Sequence, residues 1–168
     1  MATWTNNDGL PIEFGITRAS PGTGGEPDQA GESRKLIIDF DLADLGDANA
    51  AIGFVDKHEL PEGAIIHRVR TIVLEDADGT NATLDIGVIK QGTEGTDDPD
   101  GFDEDIPETT LDNGKGTTVE CDGALIGTAL DANYYFSASY ETAAFTAGRV
   151  RVIIEYTPTL NRYAQTLV

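Results

Sequence analysis

A single cysteine, Cys121, stands among the 168 residues. One thiol cannot close an intramolecular disulfide, and it cannot build a cysteine-based zinc site within one chain. Basic residues are also scarce. Eleven Lys and Arg face 30 Asp and Glu, a net charge of −19 at pH 7 with a pI near 4.1. Proteins that bind duplexes draw most of their affinity from Lys and Arg on phosphates, so no direct nucleic-acid partner is expected. An anionic membrane surface is excluded on the same ground. No stretch approaches the roughly 18 apolar residues of a membrane helix. The opening from Met1 to Gly9 has neither a basic segment nor an apolar run, and it predicts no secretory signal.

Catalytic signatures are missing too. His58 and His67 are the only histidines. No nucleophile elbow of the form G-x-S-x-G occurs, and Cys121 has no local signature of a catalytic thiol. Cys121 reads as a small buried or half-buried hydrophobe, and His67 as a packed or surface histidine. There is no glycine-rich phosphate cradle. The chain is therefore read as not an enzyme, with no cofactor.

What is present is a β pattern. Leu10, Ile12, Phe14 and Ile16 alternate with polar residues, as do Leu36, Ile38, Phe40 and Leu42. The same holds for Ala82, Leu84, Ile86 and Val88, for Tyr134, Phe136, Ala138 and Tyr140, and for Val150, Val152, Ile154 and Tyr156. Successive side chains on a strand point to opposite faces, so each set describes a strand with one face on a core. Residues 64–75 are apolar on both sides in places, which predicts a central strand, or one with a bulge near Arg68-Val69-Arg70. Residues 51–55 and 117–120 are short candidate strands. Helix evidence is limited to one turn over Asp41 to Asp47, ended by Gly46. The expected fold is all-β: an antiparallel β-sandwich, jelly-roll-like, with about eight strands, long acidic loops and little helix. Residues 1–9 would be an N-terminal arm, 10–157 a single sandwich domain and 158–168 a C-terminal tail.

Loops and turns follow from composition. Residues 20–32 and 92–116 are expected as long surface loops, the second acidic and apolar only at Phe102, Ile106 and Leu111. Asp78-Gly79 and Ala147-Gly148 predict tight turns. The run Asp97 to Asp105 packs oxygen ligands closely. It fails the EF-hand pattern at both ends, since Thr96 and Pro107 fall where carboxylates are required, which leaves a calcium loop of another kind or a solvated acidic loop. Arg68 and Arg70 share a strand face, and so do Arg149 and Arg151. They would form a stripe that pairs with acidic neighbours across strands or meets carboxylates of another subunit. Trp4, the only tryptophan, either packs on its own sandwich or anchors in a partner's pocket.

Several short segments carry a resemblance. Residues 2–10 (ATWTNNDGL) followed by Phe14-Gly15, then Leu60 to Ile66 (LPEGAII), Leu84 to Gly87 (LDIG), Asp122 to Gly127 (DGALIG), Phe145 to Val150 (FTAGRV) and Ile154-Glu155-Tyr156 recur in that order. Together they resemble the head decoration, or cement, proteins of tailed bacteriophages. The resemblance implies a β-rich structural virion protein on the outer surface of the capsid, made in the host cytoplasm. It would be a homo-oligomer, with a trimer favoured, that binds the major capsid protein and bridges its subunits. It supplies no catalytic residues. In that setting Trp4, Thr5 and Asn6 on the N-terminal arm are candidate capsid contacts. Arg68, Arg70, Arg149 and Arg151 are candidate subunit contacts. A tail or fibre component and a calcium-dependent carbohydrate-binding sandwich are the alternatives.

Overall fold

The computed structural model describes residues 2–5, 11–14, 33–47, 52–53, 59–93 and 95–158. The chain divides into two compact units, Met1–Gly31 and Glu32–Val168. In the first, β1 (Ala2–Thr5) and β2 (Pro11–Phe14) pair antiparallel, with Ala2 opposite Phe14 and Thr5 opposite Pro11. The described part of the strand expected from Leu10 is thus one half of a hairpin.

Among its described residues the second unit holds nine strands. They are β3 (Arg34–Asp41), β4 (Ile52–Gly53), β5 (Glu59–Leu60), β6 (Ile65–Gly79), β7 (Thr83–Lys90), β8 (Asp98–Pro107), β9 (Thr118–Glu120), β10 (Tyr134–Glu141) and β11 (Phe145–Thr157). One sheet runs β3-β11-β6-β9 and the other β4-β10-β7-β8, with β5 also on β10. β7 occupies one edge of β10 along its length, so β4 and β5 share the opposite edge and act as one interrupted strand. Every strand pairing is antiparallel. The first strand of the unit lies beside its last, and the second beside its penultimate. This is the order made by rolling up one long antiparallel ribbon, a jelly roll.

Alternation places the core. Ile38, Phe40, Leu84, Ile86, Val88, Tyr134, Phe136, Ala138, Val150, Val152, Ile154 and Tyr156 are buried and belong to one cluster that takes side chains from both sheets. The rings of Phe40 and Phe136 meet across the sandwich at a centroid distance of 6.0 Å. Full burial of one such apolar side chain stabilises the fold by about 1.5–3 kcal/mol. A 3₁₀ turn at Leu42–Asp44 follows β3 and tucks Leu42 into the core, which meets the expectation of a single turn there. The bulge expected near Arg68 falls at His67, since Glu155 pairs with Arg68 and Tyr156 with Ile66; further register shifts lie toward the other end of β6, where Leu74 is also skipped.

Three expectations are corrected. The acidic segment 92–116 is not a long loop, because it contains β8 and a one-turn helix, α1 (Glu108–Leu111). Its three large apolar residues, Phe102, Ile106 and Leu111, are all buried and provide its inward face. β8 does not alternate in the usual way, because Ile86 pairs with Asp103 and Val88 with Asp98. Residues 99–102 therefore arch past Gly87, where an added Cβ would lie 2.2 Å from the Asp98 carbonyl oxygen. Second, β6 runs through Asp78-Gly79, and the reversal comes at Thr80-Asn81, with Asn81 in the left-handed region at φ 56°. Third, Ala147-Gly148 is not a turn but lies inside β11. Gly148 has φ +119°, and its added Cβ would sit 2.7 Å from the Ala77 Cα, so glycine permits close strand approach at an irregular register. Residues 20–32 and the C-terminal tail beyond 158 lie outside the described residues.

The segment after β9 closes one end of the sandwich. Gly123 and Leu125 donate backbone hydrogen bonds to Phe102 and Gly101 on β8, while Gly127 and Leu130 donate to Ile66 and Ala64. Both sheets are thus tied to one short connection.

Candidate interaction face

The outward face of the β3-β11-β6-β9 sheet carries all four arginines singled out by the sequence. Register arranges them in rows. Glu155 stands between Lys35 and Arg68, and Ile153 between Ile37 and Arg70, with Glu120 beyond Arg70. Arg151 stands between Asp39 and Ile72, and Arg149 between Asp41 and Glu75. Alternation of core residues such as Val150, Val152 and Ile154 forces the intervening side chains outward, which is why the stripe forms.

Each arginine has a carboxylate partner. Arg151 grips Asp39 with a two-pronged fork, Nε to Oδ1 at 2.6 Å and Nη2 to Oδ2 at 2.7 Å. Arg68 forms a second fork on Glu120, with Nε to Oε2 at 2.7 Å and Nη2 on Oε1. Arg149 lies 3.6 Å from Asp41. Glu155 accepts Lys35 at 2.9 Å and has Arg70 at 3.8 Å. The Arg151 hydrogen bonds hold the Asp39 carboxyl below its ordinary value, and Arg68 does the same for Glu120. Lys35 is the main cause of the lowering at Glu155. The cross-strand pairing anticipated for the arginines is therefore present within one chain.

The face has two further properties. Within these rows five cations (Lys35, Arg68, Arg70, Arg149, Arg151) and five carboxylates (Asp39, Asp41, Glu75, Glu120, Glu155) balance, although the chain as a whole carries −19 and Asp78, opposite Ala147, adds a carboxylate beyond them. Apolar residues stand among the ions: Ile37 is 52% exposed, Ile153 lies opposite it, and Ile72, in the Arg151 row, is half-buried. Ile37 is one of two large hydrophobic residues exposed among those described. Sequence reading missed it, because the alternation that marks Leu36, Ile38 and Phe40 as core says only that position 37 points outward.

Other singled-out residues fall elsewhere. Trp4 lies opposite Ile12 and Thr5 opposite Pro11 in the β1–β2 hairpin, while Asn6 and His58 lie outside the described residues. His67 is exposed, with Nε2 2.7 Å from the Thr157 hydroxyl. Cys121 is buried, with Sγ 3.9 Å from Thr71 Oγ1. Burial first, then the nearby Asp103 charge, pushes its thiol up to about 12, the opposite of an activated nucleophile. The run Asp97 to Asp105, weighed as a calcium loop, is almost wholly strand, with Asp98 and Asp103 raised chiefly by burial. Asp85 on β7 faces away from the core, yet it is 4% exposed and accepts a 2.9 Å hydrogen bond from the Asp105 N–H. Among the described residues, no helix is long and apolar enough to cross a membrane.

Comparison with solved structures finds this fold in phage capsids. A chain of the cyanophage Pam1 capsid asymmetric unit superposes with a TM-score of 0.56 at 17% identity, covering 86% of this chain and 99% of that one. A chain of the capsid of Ralstonia phage GP4 gives 0.50 at 20% identity, over 80% of this chain and 89% of that one. A chain of the acidic stable capsid of Helicobacter pylori bacteriophage KHP30 gives 0.53 at 12% identity, over 75% and 87%. At these identities the likeness defines a shared sandwich fold. No protein-family model matches the sequence, and no curated protein matches it.

Proposed function

We propose that the chain is a structural, non-enzymatic virion protein that binds the outer surface of a tailed-phage capsid and stabilises it by bridging neighbouring capsid subunits. The observation that carries this reading is the fold's likeness, over 86% of this chain and 99% of the other, to a chain of a phage capsid. The resemblance of the short segments from Ala2 to Tyr156 to head decoration proteins supports it independently.

The mechanism is adhesive. Contacts that span two capsid subunits are lost when the shell comes apart, so they oppose its opening. Many symmetric copies multiply a modest contact through effective concentration. The locally balanced rows of the outer face, with Ile37 exposed on its β3 edge, are where this chain can approach another with least repulsion, while the negative charge elsewhere keeps the free protein soluble and away from packaged DNA. We place contacts between copies of the chain, in a trimer, on this face with Arg68, Arg70, Arg149 and Arg151. Contacts to the major capsid protein are placed on the N-terminal arm at Trp4, Thr5 and Asn6.

The test is sedimentation of the purified protein with capsids that lack it. The full chain should co-sediment saturably, and a chain beginning at Leu10 should not. Arg149→Gln with Arg151→Gln should lower the mass in light scattering from the oligomer toward 17.9 kDa. Unchanged binding by the truncated chain removes the arm from the account. Unchanged mass in the double variant removes the face.

A further inference from the structure

We propose that a hard divalent cation, calcium by size, binds between Asp85, Asp105 and Glu141 on the outer side of the β4-β10-β7-β8 sheet. Three strands converge there. Asp85 is at the centre on β7, Glu141 ends β10 on one side, and Asp105 comes from β8 on the other. Each offers a carboxylate oxygen, and the three oxygens lie within 4.8 Å of one another. Oxygens sharing a calcium ion at 2.3–2.6 Å stand at most about 5 Å apart, whereas those sharing magnesium at 2.0–2.1 Å stand at most about 4.2 Å apart. Oxygens within 4.8 Å of one another lie inside the span that calcium allows.

Acidic clusters are ordinary on a chain of this charge, so the second observation decides. Ser139 stands directly opposite Asp85 in the β10–β7 pair, on the same side of the sheet. It is fully buried, and its Oγ has no hydrogen-bond partner among the described residues. Opposed residues in an antiparallel pair hold their Cβ atoms about 4.5–5.5 Å apart, so Ser139 is the cross-strand neighbour of Asp85 on the cluster's side of the sheet. Buried hydroxyls are normally satisfied. A cation on Asp85 gives this one a neutral-oxygen ligand role. Asp85 has an oxygen to spare, since its Oδ1 takes the Asp105 N–H. Asp105 is itself fixed in the left-handed region at φ 58°. Glu141 and Asp105 are exposed, which leaves the remaining coordination positions to water. Bound there, calcium would pin β8 to β7 and β10 at the irregular part of their pairing.

The experiment uses the full chain, stripped with EDTA and dialysed, then titrated with calcium chloride at constant ionic strength. Calorimetry should give one saturable site per chain with a dissociation constant of about 1 mM or lower, the weak end of calcium modules, and the melting temperature should rise with occupancy. Glu141→Gln, at an exposed position, should weaken binding about tenfold or more and should not lower the calcium-free melting temperature, since it removes one of three mutually repelling charges. Ser139→Ala should weaken it as well, and Asp122→Asn, outside the cluster, should not. Absence of saturable binding overturns the proposal. So does a melting shift that sodium chloride reproduces at equal ionic strength, or full calcium affinity in Glu141→Gln.

Discussion

Replacing Phe102 with alanine tests whether the acidic stretch from Asp98 to Pro107 is a packed strand. Phe102 is fully buried. Truncating a buried phenylalanine costs about 3–5 kcal/mol, the lost transfer energy plus a cavity that its surroundings fill only in part. For a chain of this length each kcal/mol moves the melting temperature by about 2–4 °C, so the variant should melt roughly 6–20 °C lower. A typical domain has only about 5–15 kcal/mol in total, so this loss is a large fraction. Urea unfolding followed by far-ultraviolet circular dichroism measures it directly, and the slope with denaturant should stay constant. Two controls sharpen the result. Ile106→Ala, on the same strand and 3% exposed, should also destabilise by about 2–5 kcal/mol. Glu104→Gln, on the exposed side, should change stability by less than about 0.5 kcal/mol. A loss below about 1 kcal/mol for Phe102→Ala would refute the reasoning, because it would describe the solvated loop that composition alone suggests.

Three further outcomes follow from the same geometry. Gly148→Val should destabilise by about 1–3 kcal/mol from backbone strain alone, since the residue sits at φ +119° and Ala77 leaves no room; a melting temperature equal to the parent's would contradict the tight approach of β11 to β6. Cys121, with its thiol pushed to about 12 by burial, should resist alkylation in the folded protein at about pH 8 and react promptly in urea; equal rates in both would contradict its burial. Asp39 titrates below its ordinary 3.8 because Arg151 holds it, so the stability this pair contributes is present above that value and lost as pH falls through the depressed one. The stability difference between the parent and Arg151→Gln should therefore persist at about pH 7 and shrink as pH falls below the ordinary Asp39 value, and a difference independent of pH would remove the ion pair as its cause.

Much of the sandwich was legible because alternation is a direct record of facing. Leu36 to Leu42, Ala82 to Val88, Tyr134 to Tyr140 and Val150 to Tyr156 each repeat every second residue, and the structure turns the predicted side of each toward the core. The antiparallel sandwich class followed from many short strands without crossover helices, whereas the strand order came only from the structure. β8 was not legible, because its inward residues Phe102 and Ile106 are four apart on a strand that arches past Gly87, and carboxylates occupy most of the positions between. Gly148 reads as a turn in the sequence because a glycine that permits a turn and a glycine that permits close strand approach look the same in one dimension. The arginine stripe was legible as a face, and its carboxylate partners were anticipated as a class. Their identity was not, because Asp39 and Glu120 are set by strand neighbours 112 and 52 residues away in sequence. Asp85 and Ser139 carried no signal at all: they occupy outward positions in alternating strands, and only the fold shows that those positions are buried.

The measurement that tests the central claim most directly is the number of copies of this chain per major capsid protein in particles purified from its source. A regular decoration of the shell predicts a ratio near one or a simple fraction of it, the same in every preparation. A few copies per particle would contradict decoration and assign the chain to the tail or its attachment site, and complete absence from the particles would contradict a virion role.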